Sequence, residues 1–347
     1  MGILSYTGGL GLITLTVYIM VVGRDLIVPF LISVVIWYLI NTLADYYHKI
    51  KIKNFSLPKS VCFVAALLSM IMALWLLVDM IGNNIANVKA AAPIYQENLL
   101  KLSDRIYTLL GIENQPNLTQ LISQIDLRPF ISNIAGTMAS IAGNAGLILI
   151  YVLFIFLEQA SFNTKLKALL NGSKHDDTVQ EIISTVGEKI ETYVAIKTFV
   201  SMMTGAACYV VLILNDVDYA SFWAFIIFLL NYIPTVGSML AVLFPALLSL
   251  VQFSTFTPFI IIITSLGFIQ LLIGNILEPR LMGNSLNLSP LVVMLSLALW
   301  GSIWGIAGMF LSVPFTVILM IIFSEFPRTR PIAIMLSQNG KIGTGIK

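Results

Sequence analysis

Long uncharged apolar runs recur along this chain, at residues 10–23, 26–44, 61–78 and 259–277. A helix needs about 20 apolar residues to cross a hydrocarbon core of about 30 Å. In lipid every backbone polar group must find its partner within the protein, so these runs commit the fold to membrane-spanning helices. Composition agrees: 58% of the 347 residues are hydrophobic and 10% are charged, against roughly 25% charged in a soluble domain. The expected class is therefore an all-α, polytopic membrane protein. The first run has no basic segment before it and a second follows almost at once, so the N-terminus is expected to be retained rather than cleaved as a signal. A net charge of +2 gives no strong pull toward nucleic acid. Cys62 and Cys208 sit inside apolar runs, where a thiol packs as a small hydrophobe, and no disulfide framework is expected.

Loop charges set the expected topology. Lys49, Lys51, Lys53 and Lys59 cluster between the second and third runs, and short basic loops stay cytoplasmic. The N-terminus is then inside, and residues 1–80 form an N-terminal block of transmembrane helices. Residues 81–142 carry balanced charge but repeat Tyr95, Leu99, Leu102, Ile106 and Leu109 at steps of three and four behind Pro93, with a second helical start at Pro129. This pattern predicts an external subdomain of amphipathic helices, serving as a surface cover or as a face for a neighbouring subunit. Residues 143–194 read as an inward-crossing span and a cytoplasmic amphipathic helix, capped by Asp176 or Asp177, with Lys165, Lys167, Lys174, Lys189 and Lys197 marking the inner side. A core at 195–324 follows, and the tail at 325–347, with Arg328, Arg330, Lys341 and Lys347, is expected in the cytoplasm.

Two segments of that core do not fit ordinary spans. Residues 220–251 are apolar but hold Asn231-Tyr232-Ile233-Pro234-Thr235-Val236-Gly237-Ser238 at their middle. The stretch is too long for one span and too short for two with a turn. Pro234 removes a backbone donor and turns Ile233 away from helix, while Gly237 permits a sharp return. A re-entrant helical hairpin is predicted, its tip buried in protein or lining a wet cavity. Residues 289–323 are interrupted in the same way by Trp300-Gly301-Ser302-Ile303-Trp304-Gly305-Ile306-Ala307-Gly308 and by Pro314. Each hairpin follows one complete span, the two running in opposite directions. Broken segments at matching positions of an inverted repeat point to a transporter with its site near the midplane.

Between the two lie Asn275, Glu278, Arg280, Asn284 and Ser285. Glu278 and Arg280 are the only charges between Asp218 and Glu325. They are either functional, since charge at membrane depth is costly, or a plain helix end at which Pro279 stops the helix and Arg280 snorkels. The strings from Asn231 to Ser238, Gly274-Asn-Ile-Leu-Glu-Pro-Arg-Leu-Met-Gly, Leu288-Ser-Pro-Leu-Val-Val and Gly308-Met-Phe-Leu-Ser-Val-Pro resemble the autoinducer-2 exporter family of bacterial membrane proteins. The resemblance implies export of small signalling molecules such as the quorum-sensing signal autoinducer-2 in some members, and cation/proton antiport in others. It also implies residence in the inner membrane and a homo-oligomer, with a pentamer as one form.

The leading expectation is a secondary transporter that exports a small polar solute by alternating access. Asn231, Tyr232, Thr235, Ser238, Asn275, Asn284 and Ser285 would supply donors and acceptors, with Pro234 and Gly237 shaping the tip. A different class is a sodium or other monovalent cation/proton antiporter, for which Glu278 is the first carboxylate to consider, with Arg280 beside it, and Asp79 a second. A third is an intramembrane enzyme, which the sequence argues against. His48 and His175 are its only histidines and no H-E-x-x-H or G-x-S-x-G exists, so no catalytic residue, metal or cofactor is expected. A non-transporting membrane partner protein is a fourth reading.

Overall fold

The computed structural model describes residues 3–49, 58–76, 79–80, 94, 97–98, 101, 127–170, 176–253, 255–283 and 286–341. Helices dominate: α1 (Ile3–Val22), α2 (Arg24–Lys49), α3 (Lys59–Leu76), α4 (Leu127–Leu170), α5 (Asp176–Leu214), α6 (Ala220–Leu230), α7 (Val236–Gln252) and α8 (Thr257–Gln270). A π-helical segment (Leu271–Leu277) follows, then α9 (Glu278–Met282), α10 (Pro290–Glu325) and α11 (Arg330–Leu336). The described residues hold no strand beyond a single antiparallel bridge between Leu288 and Ser337. Among them, six helices are long and apolar enough to cross a membrane. Large apolar side chains stand exposed along these helices, Trp75 at 61%, Leu157 at 64% and Phe268 at 60% among them. Water would not tolerate so continuous an apolar surface, and lipid would. The chain is thus an all-α, multi-pass membrane protein.

The chain divides into two compact units. The first comprises residues 1–67, 146–196 and 282–347. Its core joins Val35 of α2, Ile190, Tyr193 and Val194 of α5, Leu311, Val313, Val317, Met320 and Ile321 of α10 and Ala333 of α11. Edge-on rings fasten its helices: Phe30 on Tyr151 and Phe63 on Phe156, with Trp37 Nε1 donating to Gln159 Oε1 at 3.0 Å. The end of α11 and the segment after it strap the entry to α10, Ser289 N–H bonding Leu336 O and Gln338 N–H bonding Asn287 O, both at 3.0 Å. The second unit comprises residues 68–145 and 197–281, with a core of Cys208, Leu212, Val217, Ile227, Ala241, Ala246, Ile262 and Leu266. Cys62 and Cys208 are both buried and outside any disulfide.

Both interrupted segments bend back on themselves. In the second unit α6 and α7 run antiparallel, since Trp223 meets Phe244 and the side chain of Gln252 bonds both Asp216 and Asp218 at the base. In the first unit α10 breaks at Gly305, which has φ 62° and ψ −138°. Its two arms fold together, so that Trp300 meets Phe315 at 4.8 Å and reaches Thr316 Oγ1 with its Nε1. Pro314 does not interrupt the second arm as the sequence reading expects. It lies buried within continuous helix, where Ser312 and Thr316 hydroxyls bond backbone carbonyls nearby, the kind of local support that lets membrane helices tolerate proline. A further difference concerns extent. α4 runs without a break across residues 142 and 143, where the sequence changes pattern, and α5 runs from the amphipathic helix straight into the following span, in keeping with the sequence pattern. The amphipathic pattern from Tyr95 to Leu109, most of the basic 49–59 loop, and Asn284 and Ser285 lie outside the described residues or nearly so.

Candidate functional site

The hairpin tip of the second unit is built by local conflict between residue types. α6 ends at Leu230, and Ile233 N–H is the last to reach back, bonding Leu230 O at 2.9 Å. Pro234 has no N–H to continue the ladder. Val236 N–H instead bonds Pro234 O across Thr235, which is held at φ 55°, ψ −57°. This is a γ-turn of the rarer, strained hand, and a β-branched residue there is a true outlier. Gly237 then passes so near α6 that an added Cβ would lie 1.8 Å from Leu230 O. The same device closes the hairpin of the first unit, where a Cβ on Gly308 would lie 1.8 Å from Trp300 O.

The tip residues Asn231 and Tyr232 are buried and turned onto α5 and α8. Asn231 Nδ2 donates to Ser201 Oγ at 3.1 Å, and its Oδ1 accepts from Gln270 Nε2 at 3.0 Å. The hydroxyls of Tyr232 and Thr198 lie 2.6 Å apart. One residue before Thr198, Lys197 Nζ is paired with Glu278 Oε1. Lys197, Ser201 and Thr204 are all buried and form one stripe of α5 at i, i+4 and i+7. The stripe faces inward on a helix whose Phe199, Met202 and Met203 are exposed.

Helix geometry gives the spacing. At 1.5 Å per residue Lys197 and Ser201 lie about 6 Å apart along α5, so the polar groups and the ion pair occupy successive levels of the helix. Between them runs the π-helical segment Leu271–Leu277, in which Glu278 N–H bonds Ile273 O five residues back. π-helical turns are rare and concentrate at functional positions.

The residues that sequence reasoning selected separate into three groups. Asn231, Tyr232 and Gly237 are buried in the tip, Pro234 and Ser238 are half-buried there, and Ser238 Oγ bonds Thr235 O at 2.7 Å. Thr235, Asn275 and Arg280 are exposed, and Asn284 and Ser285 fall outside the described residues. Glu278 does not pair with its sequence neighbour Arg280 but with Lys197, 81 positions earlier. Lys197, Thr198, Ser201 and Gln270 were not selected. Lys197 reads as a flanking cytoplasmic lysine. The stripe of which it is the first member was the available signal.

The arrangement offers several neutral donors and acceptors beside an ion pair whose charges cancel. It defines a multi-pass α-helical membrane protein with polar groups gathered at a broken helical hairpin, the make-up of a transporter rather than of an enzyme. The profile of the AI-2E family transporters matches residues 10–328, and the chain belongs to that family. It is 30% identical over 326 residues to the "AI-2 transport protein TqsA" of Escherichia coli (strain K12), covering 92% of this chain and 91% of that one. It is also 29% identical over 324 residues, 90% of each chain, to a "Putative transport protein" of Haemophilus influenzae.

Proposed function

We propose that this transporter exports a small, neutral, polyhydroxylated solute, of which autoinducer-2 is the first to test, and that the cluster of Thr198, Ser201, Asn231, Tyr232 and Gln270 is where the solute is held. The observation that carries this reading is Asn231: one buried amide at a helix break, engaged by Ser201 on one helix and Gln270 on another. A solute hydroxyl can replace either partner, donor for donor and acceptor for acceptor. The hairpin supports the reading as well. Its arms have 11 and 17 residues, about 16 and 25 Å at 1.5 Å per residue, each shorter than a core of about 30 Å. We read it as re-entrant, with its tip inside the membrane and acting as a gate, and α10 as its counterpart in an inverted repeat. The name of the Escherichia coli relative points the same way. The protein then sits in the inner membrane with both termini in the cytoplasm, as a homo-oligomer.

Sodium/proton antiport would need a carboxylate free to exchange a cation for a proton, and the Glu278 carboxylate is paired with Lys197. That favours the solute. Purified protein in liposomes loaded with autoinducer-2 should release it in a saturable way. Flux of sodium against an imposed proton gradient, with no release of autoinducer-2, would transfer the assignment to antiport. Silence in both assays would leave the partner-protein reading standing.

A further inference from the structure

The ion pair of Lys197 and Glu278 differs from the others among the described residues. Its side chains are 5% and 17% exposed, whereas those of Lys165 and Glu158, Lys101 and Glu97, and Arg24 and Asp25 are all more than half exposed. Exposed pairs contribute little and need no special account. A buried pair costs desolvation at both ends, and hydrophobic residues of equal volume often serve the fold as well or better. The cost is greater within a membrane-spanning helix. The surroundings also give the pair a purpose: α5 carries it next to Thr198 and one turn from Ser201, and the residues that lead into Glu278 are the π-helical segment.

A carboxylate buried in a membrane protein offers the kind of oxygen ligand that hard metal cations take. Here an ammonium already occupies that position, and its charge is tethered to α5. We propose that Lys197 is a specificity-determining residue: a built-in cation that closes Glu278 to mobile cations, so that the neighbouring site takes neutral solutes without sodium. The inference rests on the transport-site reading above. It makes Glu278 a latent sodium site in a protein that does not use it. Removing the ammonium while keeping the bulk of the side chain leaves a buried, unpaired carboxylate, which regains neutrality by taking up a proton or by binding a sodium ion, and the proposal is that sodium is bound.

The test uses the full chain in detergent, with sodium chloride compared with choline chloride at equal ionic strength. Wild type should unfold at the same temperature in both. Lys197→Met should be stabilised by sodium and not by choline, by about 3 °C when sodium is in tenfold or greater excess over its dissociation constant, and should bind about one radioactive sodium ion per chain. Lys197→Arg should behave as wild type. Lys197→Met combined with Glu278→Gln should fold and show no response to sodium. A Lys197→Met variant that folds only in sodium supports the proposal. One that shows no sodium response, or that fails to fold in both salts, overturns it. So does a wild type that binds sodium through Glu278. These measurements read ion binding, so loss of the autoinducer-2 assignment would leave them intact, and their failure would leave that assignment open.

Discussion

Thr235 stands at φ 55° with a branched Cβ, a conformation that glycine adopts freely and threonine does not. Such strain costs about 1–3 kcal/mol where it persists, and here it persists because Pro234 O is the acceptor available to Val236 N–H. Thr235→Gly is therefore predicted to raise the thermal midpoint of the purified protein, and a drop would show that the tip is not strained. Tyr232→Phe removes one partner of the Thr198 hydroxyl. It should cost about 1 kcal/mol of stability, read as a lowered midpoint, and should slow solute release more than it changes stability. Asn231 and Tyr232 could be picked out from sequence because polar residues interrupt an apolar run there. Gln270 could not, because a single amide in a long apolar run makes no pattern. Lys197 was hidden by the positive-inside rule, which reads a lysine at a helix end as a topology marker, and its partner is 81 residues away.

At the scale of elements, the two hairpins use one closure. Gly237 against Leu230 O and Gly308 against Trp300 O leave no space for a Cβ, each meeting an oxygen at 1.8 Å. Backbone cannot give way as a side chain does, so Gly237→Ala and Gly308→Ala should each destabilise the protein by several kcal/mol, in the range of overpacked or strained positions. Gly267, in α8, has nothing within 4 Å of its would-be Cβ. Gly267→Ala should be neutral or stabilising by up to about 1 kcal/mol, and thermal unfolding of the three variants side by side decides the matter. The breaks themselves were evident from length and from Pro and Gly. Their form was not: Pro314 is inside helix and Gly305 is the pivot, because a proline's cost depends on whether nearby groups cover the carbonyl it frees. The π-helical turn left no trace in the sequence at all, since Leu271 to Leu277 reads as plain apolar helix.

For the whole molecule, the apolar runs made the membrane class legible at once, because lipid leaves a chain few choices of backbone. The division into two units was not legible. Each gathers segments distant in sequence, and α5 passes from one to the other between Ile196 and Lys197. The proposed topology makes a prediction at this scale. A cysteine placed at Asp216, in the turn between α5 and α6, should react with an impermeant thiol reagent added outside intact cells, and a fluorescent protein fused after Lys347 should fold in the cytoplasm. Labelling of Asp216 only after lysis would reverse the orientation and with it the sense of export. The central claim, that solute is held at the tip of the α6 and α7 hairpin, is tested most directly by autoinducer-2 release from liposomes containing wild type or Asn231→Ala, each first shown to be folded. Loss of a hydrogen bond of about 1.4 kcal/mol predicts release about tenfold slower in the variant. Release at the wild-type rate would contradict the account.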